Sequence, residues 1–157
     1  MTESSEHINS AFSKAAALCS RAEKSPLSIQ KKTTQWGLSP EEGEAVLQRL
    51  FEHNFLNEQR FACFYVRDKY RFNRWGRIKI AYQLKNEGIS APCITQALEE
   101  IDDESYLENL RDLLQEKYRK TKGKDDYDLK MKVVRYAQGR GFEPELIFRT
   151  YDELLRE

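Results

Sequence analysis

The sequence predicts an all-α protein: three tandem three-helix repeats forming an elongated, curved helical solenoid. Three observations predict it. The first is a punctuation mark used three times: GLSP at Gly37–Pro40, GISAP at Gly88–Pro92 and GFEP at Gly141–Pro144, with the glycines 51 and 53 residues apart. Each mark reads as a helix ending on a glycine in the left-handed C′ conformation, followed by an apolar residue that folds back onto the core. Ser39, Ser90 or Glu143 then opens the next helix, with proline at or near its first turn, where the missing N–H costs nothing. The second observation is a set of apolar columns that appear on aligning the glycines. Leu27, Ile78 and Met131 lie ten residues before them, and Ile29, Ile80 and Val133 eight before. Leu47, Leu98 and Tyr151 lie ten after, and Leu50, Ile101 and Leu154 thirteen after. The third is that no segment shows the strict alternation of a strand. Units that pack mainly on their neighbours stack into a solenoid.

The elements follow in order. In the first repeat, residues 1–56, one helix covers about Glu6–Arg21. A second runs from Ser25, with Pro26 in its first turn, to Gln35, and a third spans Pro40–His53, where Ser39 and Glu42 have the spacing of a capping box. The second repeat, residues 57–103, holds a long helix at Glu58–Arg74, then Arg77–Asn86 and Pro92–Ile101. The third, residues 104–157, holds Glu104–Arg119, Asp126–Gln138 and Pro144–Arg156. Short turns join all of these except at KTKGKDD, Lys120–Asp126.

Of 157 residues, 33% are charged, 39% apolar and 11% aromatic, which is too apolar for a disordered chain and suits a helical protein with a modest core. Lys+Arg and Asp+Glu each number 26, so net charge predicts no partner. The charge is nevertheless in blocks. Arg67–Lys79 carries a net +5, Glu99–Glu116 a net −7 and Lys117–Arg140 a net +6. Blocks of one sign are what a partner meets within a Debye length. Three cysteines without CxxC spacing (Cys19, Cys63, Cys93) and two isolated histidines (His7, His53) argue against a disulfide framework and against a metal site. Neither a phosphate-binding glycine loop nor a nucleophile–base grouping occurs, so no enzyme and no cofactor is expected. The N-terminal MTESSEHINSAF does not read as a secretory signal, and no apolar run is long enough to span a membrane. The expectation is a cytoplasmic protein.

Two basic faces are the candidate sites. The first carries Arg67, Lys69, Arg71, Arg74, Arg77, Lys79 and Lys85, interleaved with Tyr65, Tyr70, Phe72, Trp75 and Tyr82. About one repeat later come Lys117, Arg119, Lys120, Lys122 and Lys124, followed by Lys130 and Lys132. Cations among aromatics suit phosphate contact with base stacking, and equally suit docking on an acidic protein groove. A helix also needs a polar face simply to be solvated. Equivalent positions in a solenoid line up on one side, so the two patches would form a stripe suited to a long polymeric target, nucleic acid or protein.

From Phe55 to Ser90, FLNEQRFACFYVRDKYRFNRWGRIKIAYQLKNEGIS resembles the RecX family of regulatory proteins. Leu56, Arg60, Phe61, Ala62, Tyr65, Val66, Arg67 and Asp68 occupy the places of the family's Leu, Arg-Phe-Ala and Tyr-Val-Arg-Asp segments. Gly76, Arg77, Ile78, Leu84, Gly88 and Ile89 match the glycine and the following Arg-Ile…Leu…Gly-Ile helix. Asn57 and Glu58 stand where two acids are usual. The resemblance implies a non-enzymatic modulator that binds the RecA–single-stranded-DNA filament and inhibits its ATPase, strand exchange and growth; a monomer is expected. That role bears on recombination, DNA repair and the SOS response, with contact to single- or double-stranded DNA. A DNA-binding module independent of any recombinase, and a protein-binding scaffold with no DNA role, are the alternatives. Reversing Arg71, Arg74 and Arg77 to glutamate is expected to remove modulation and leave the fold intact.

Overall fold

The computed structural model describes residues 2–157. Among these residues the chain is helical throughout, with nine α-helices and no strand. They are α1 (Glu3–Arg21), α2 (Pro26–Gln35), α3 (Pro40–Glu52), α4 (Glu58–Phe72), α5 (Arg77–Asn86), α6 (Ala91–Leu98), α7 (Asp103–Lys120), α8 (Asp126–Gly139) and α9 (Pro144–Arg156).

The repeated punctuation is a repeated hydrogen-bond pattern. Gly37, Gly88 and Gly141 have φ of +87°, +80° and +97°. At each, the glycine N–H donates to a carbonyl three residues back and the next N–H to one five back: Gly37 to Thr34 and Leu38 to Thr33, Gly88 to Lys85 and Ile89 to Leu84, Gly141 to Gln138 and Phe142 to Ala137. These are three Schellman closures. The apolar residue after each glycine, Leu38, Ile89 or Phe142, is buried. Asn54, at φ +61°, closes α3 in the same way, with Phe55 N–H on the Leu50 carbonyl. The Ser39–Glu42 capping box also forms, the serine side chain accepting from Glu42 N–H and the glutamate accepting from Ser39 N–H.

Some boundaries differ from expectation for local reasons. The first helix starts at Glu3 because the Thr2 side chain accepts from Ser5 N–H at 3.1 Å. The fourth ends at Phe72, two residues early, because Arg74 turns left-handed at φ +54°. The sixth ends at Leu98, leaving Asp102 free to cap α7 by accepting from Ser105 N–H. The recurring apolar columns differ in burial. Ile29, Ile80 and Val133 are fully buried, whereas Ile78 is 50% exposed and Leu27 and Met131 are only half-buried. Positions two apart on a helix point some 200° from each other, so both columns cannot face one core.

The chain packs as two compact units, Met1–Phe64 with Leu84–Gln96, and Tyr65–Gln83 with Ala97–Glu157. In the first, α1, α2 and α3 pack on one another around Ala15, Ile29, Val46, Leu50 and Leu56. In the second, α7, α8 and α9 pack around Leu110, Leu114, Val133, Val134 and Ile147. Among the described residues no helix is long and apolar enough to cross a membrane.

Candidate nucleic-acid or filament interface

The second unit holds most of the predicted basic residues, and its geometry begins where α5 starts. The first N–H groups of a helix have no intrahelical partner. Here Gly76 N–H donates to the Arg140 carbonyl at 2.8 Å, Ile78 N–H to the Gly141 carbonyl at 2.9 Å, and Arg77 N–H to the Tyr106 hydroxyl at 2.9 Å. The α8–α9 corner and a tyrosine from α7 thus cap α5. The approach is close enough to exclude side chains: a Cβ on Gly76 would fall 2.3 Å from the Gly141 oxygen, and one on Gly141 would fall 2.3 Å from Lys79 Cβ.

Arg77 belongs to this joint. Its guanidinium lies 3.9 Å from the Tyr106 ring centroid and pairs with Asp103 at 2.6 Å and Glu143 at 3.0 Å. Tyr106, 1% exposed, donates a hydrogen bond to the same Glu143 carboxylate. Burial first, and then that hydrogen bond, push the Tyr106 phenol far above its ordinary range, so it stays a donor. Arg77 is therefore a bonded strut and not a free member of a solvent-facing stripe. Its reversal would place an extra carboxylate against Asp103 and Glu143, a contact that weighs against replacing Arg77 without loss of fold. Glu143 is spent on the joint too, and α9 has no side-chain cap.

The remaining cations of the first face fall into two groups. Lys69 and Lys79 set their amines over the Trp75 ring at 5.3 and 4.6 Å, with Lys69 also 5.5 Å from Tyr65. Arg67 and Arg71, one turn apart on α4, and Arg74, in the left-handed turn that follows it, line an open groove of about 460 Å³. Tyr70, Ser105 and Asn109 form its polar floor, with Tyr70 and Ser105 hydroxyls 2.7 Å apart. Arg67 pairs with Glu100 at 3.2 Å and Arg74 with Glu116 at 3.3 Å, both exposed pairs. Arg71 is exposed and makes no ion pair among the described residues. Asp102, the other acid lining the groove, is absorbed by capping α7, where the helix dipole favours a negative charge. Phe72, 79% exposed, stands beside these arginines in sequence.

Lys85 lies in the first unit and is exposed. In the second cluster, Lys117 is half-buried, with its amine 4.5 Å from the Tyr136 ring centroid. Arg119, Lys120, Lys122 and Lys124 are exposed, with no ion pair among the described residues. The Tyr106–Glu143–Arg77 joint went unseen in the sequence. Its only signal was the glycine directly before Arg77, which marks a close backbone approach. No group of three or more His, Cys, Asp or Glu that could hold a metal ion occurs among the described residues.

Comparison with known proteins gives a consistent result. The family descriptions "RecX, second three-helix domain" and "RecX, third three-helix domain" match residues 57–98 and 103–150. Regulatory protein RecX of Prosthecochloris aestuarii is 32% identical over 127 residues, covering 81% of this chain and 82% of that protein. Regulatory protein RecX of Clostridioides difficile is 27% identical over 149 residues, covering 92% of this chain and 68% of that protein. Some curated relatives are much longer: the match takes in 44% of the Lactobacillus johnsonii protein. Among solved structures, RecX from Lactobacillus salivarius shares the fold, with a TM-score of 0.86 at 17% identity over 98% of this chain and 99% of that one.

Proposed function

We propose that this chain, which belongs to the RecX family of regulatory proteins, docks on a RecA–single-stranded-DNA filament and slows its ATPase, its strand exchange and its growth. The observation that carries the reading is the arginine groove at the end of α4. Three guanidiniums line one groove, two from α4 and one from the turn after it; Arg71 has no ion pair among the described residues and the other two are in exposed ion pairs, so an anionic surface can be met there. An exposed pair is worth about 0–1 kcal/mol, so exchanging Glu100 or Glu116 for a partner's phosphate or carboxylate costs little. Arg67, Arg71 and Arg74 are the primary contacts in this reading, and the Lys117–Lys124 segment a secondary one. Lys69 and Lys79 contribute mainly field, since their amines are already seated over Trp75. No catalytic chemistry is required: a regulator that occupies filament surface acts by binding alone.

The test is the single-stranded-DNA-dependent ATPase of the cognate RecA, titrated with this protein and with its Arg71→Glu variant. Inhibition by the parent at amounts too small to coat the DNA, lost at least tenfold in the variant at unchanged melting temperature, is the expected result. A parent that leaves the ATPase untouched yet binds bare DNA tightly moves the reading to a DNA-binding module. A variant as potent as the parent removes the groove from the interface.

A further inference from the structure

The second basic cluster borders a surface of a different kind from the arginine groove. Where α7 ends, α8 begins and α9 finishes, two adjoining depressions of about 120 and 260 Å³ share Tyr118, Tyr151 and Leu155 in their walls. The smaller is closed by Leu114, Leu154 and the stem of Arg119; Tyr127 and Leu129 extend the larger. Much of this apolar surface is open to solvent, with Tyr127 72%, Leu155 57% and Tyr118 40% exposed. The acids in the walls are Asp126 and Asp152, and Asp152 is paired with Lys130 at 3.1 Å. Against them the last turn of α7 presents Arg119 and Lys120 and the turn that follows presents Lys122 and Lys124, none of which makes an ion pair among the described residues.

That turn is held in place. The Lys122 carbonyl accepts from Lys132 Nζ at 2.9 Å, Lys124 N–H donates to Asp128 Oδ2 at 3.0 Å, and Asp125 caps α8. Gly123 lies so close to α8 that a Cβ there would sit 2.6 Å from Leu129 N. A fixed cationic rim beside an apolar cleft is preorganised for a ligand that carries both negative charge and an apolar side chain. Nucleic acid supplies the charge but not the aliphatic anchor. Base stacking needs open ring faces, and of the three tyrosines Tyr118 and Tyr151 are engaged with each other in a T-shaped contact at 6.2 Å, leaving Tyr127 as the one open ring, while the smaller depression is walled largely by leucines. The geometry points to a docking site for an acidic peptide segment of a partner protein, one aliphatic or aromatic side chain entering between Tyr118, Tyr151 and Leu155 and its carboxylates meeting Arg119, Lys120, Lys122 and Lys124. This assignment stands apart from the arginine groove and survives its failure.

Fluorescence polarisation tests it with three labelled probes: a short Glu/Asp-rich peptide carrying two leucines four residues apart, the same peptide with serines for leucines, and an oligothymidylate of equal charge. The leucine peptide is expected to bind the full chain saturably, and at least tenfold more tightly than the serine peptide. Leu155→Asp should abolish that preference at unchanged melting temperature, and the Lys120→Gln, Lys122→Gln, Lys124→Gln triple variant should weaken the leucine peptide and flatten its salt dependence. Arg71→Glu should leave peptide binding unchanged, which separates this site from the groove. Equal affinity for the two peptides, displacement of both by oligothymidylate, indifference to Leu155→Asp, or no saturable binding of the leucine peptide would each overturn the assignment.

Discussion

Tyr106→Phe removes a single oxygen from the joint that caps α5, and its cost can be worked from the contacts. The hydroxyl donates to the Glu143 carboxylate and accepts from Arg77 N–H at 2.9 Å, while the ring itself is fully buried and would keep its packing in phenylalanine. A hydrogen bond to a charged group is worth about 1.5–3 kcal/mol, and a donor stranded without a partner costs about 1–3 kcal/mol. Glu143 keeps its 3.0 Å pair with Arg77, so its own loss falls at the low end. The expected sum is about 3 kcal/mol, and at roughly 2–4 °C per kcal/mol for a chain of this size the melting temperature should fall by about 6–12 °C. Urea denaturation followed by far-UV circular dichroism measures it, with Glu143→Gln and the double variant completing a cycle. The two substitutions should couple by about 1 kcal/mol or more, because each weakens the bond the other uses. A Tyr106→Phe protein within about 0.5 kcal/mol of the parent, or a cycle with no coupling, would refute the claim that the phenol holds α5 in place.

Gly76→Ala should be far worse than its chemistry suggests, with a loss of about 3 kcal/mol or more, since its Cβ meets backbone that cannot move aside, whereas Gly139→Ala, with no atom within 4 Å, should be neutral or gain about 0.5–1 kcal/mol; thermal melts of both check the contrast. At Arg74, whose φ is +54°, glycine relieves the left-handed strain while alanine keeps it, so Arg74→Gly should be more stable than Arg74→Ala by about 1 kcal/mol in urea denaturation. The two variants should be equally deficient against RecA if the guanidinium is what the partner meets. The raised pKa of Tyr106 gives a pH signature. Its stabilising contribution is fully present below an unfolded tyrosine's pKa of about 10 and is lost as pH rises beyond that. Stability measured from pH 9 to 12 should therefore fall more steeply in the parent than in Tyr106→Phe.

Much of the fold was legible because it is written in local chemistry. A left-handed C′ glycine followed by an apolar residue needs nothing distant, and all three closures form. The Ser39–Glu42 capping box needs only its spacing. What stayed hidden depends on partners remote in sequence. Arg77 reaches Glu143 and Gly76 abuts Gly141, each some 65 residues away. In RWGRIKI only Gly76 hints at a close approach, and nothing there says which segment approaches. Burial was not legible in the columns for a different reason: alignment detects recurrence and not orientation, so the column of Leu27, Ile78 and Met131 recurs with the repeat although Ile78 is half exposed and the other two are only half-buried.

The candidate site carries the same lesson at the level of charge. Arg71 and Arg77 are six residues apart, of one type, in one basic run, and by composition indistinguishable. What divides them is position relative to helix ends. Arg71 stands in the last turn of α4, where a cation favours the dipole and the side chain extends into solvent. Arg77 opens α5, the end of a helix where a cation is disfavoured. Its charge is tolerated because Asp103 and Glu143 stand against it and the Tyr106 ring face lies beneath it. A basic residue at a helix N-terminus with acids around it is thus part of the fold, whereas one in a last turn without them stays exposed. On that criterion Arg71 stands alone among the six basic residues from Arg67 to Lys79: Lys69 and Lys79 are seated over Trp75, and the proposed docking would have to displace Glu100 from Arg67 and Glu116 from Arg74.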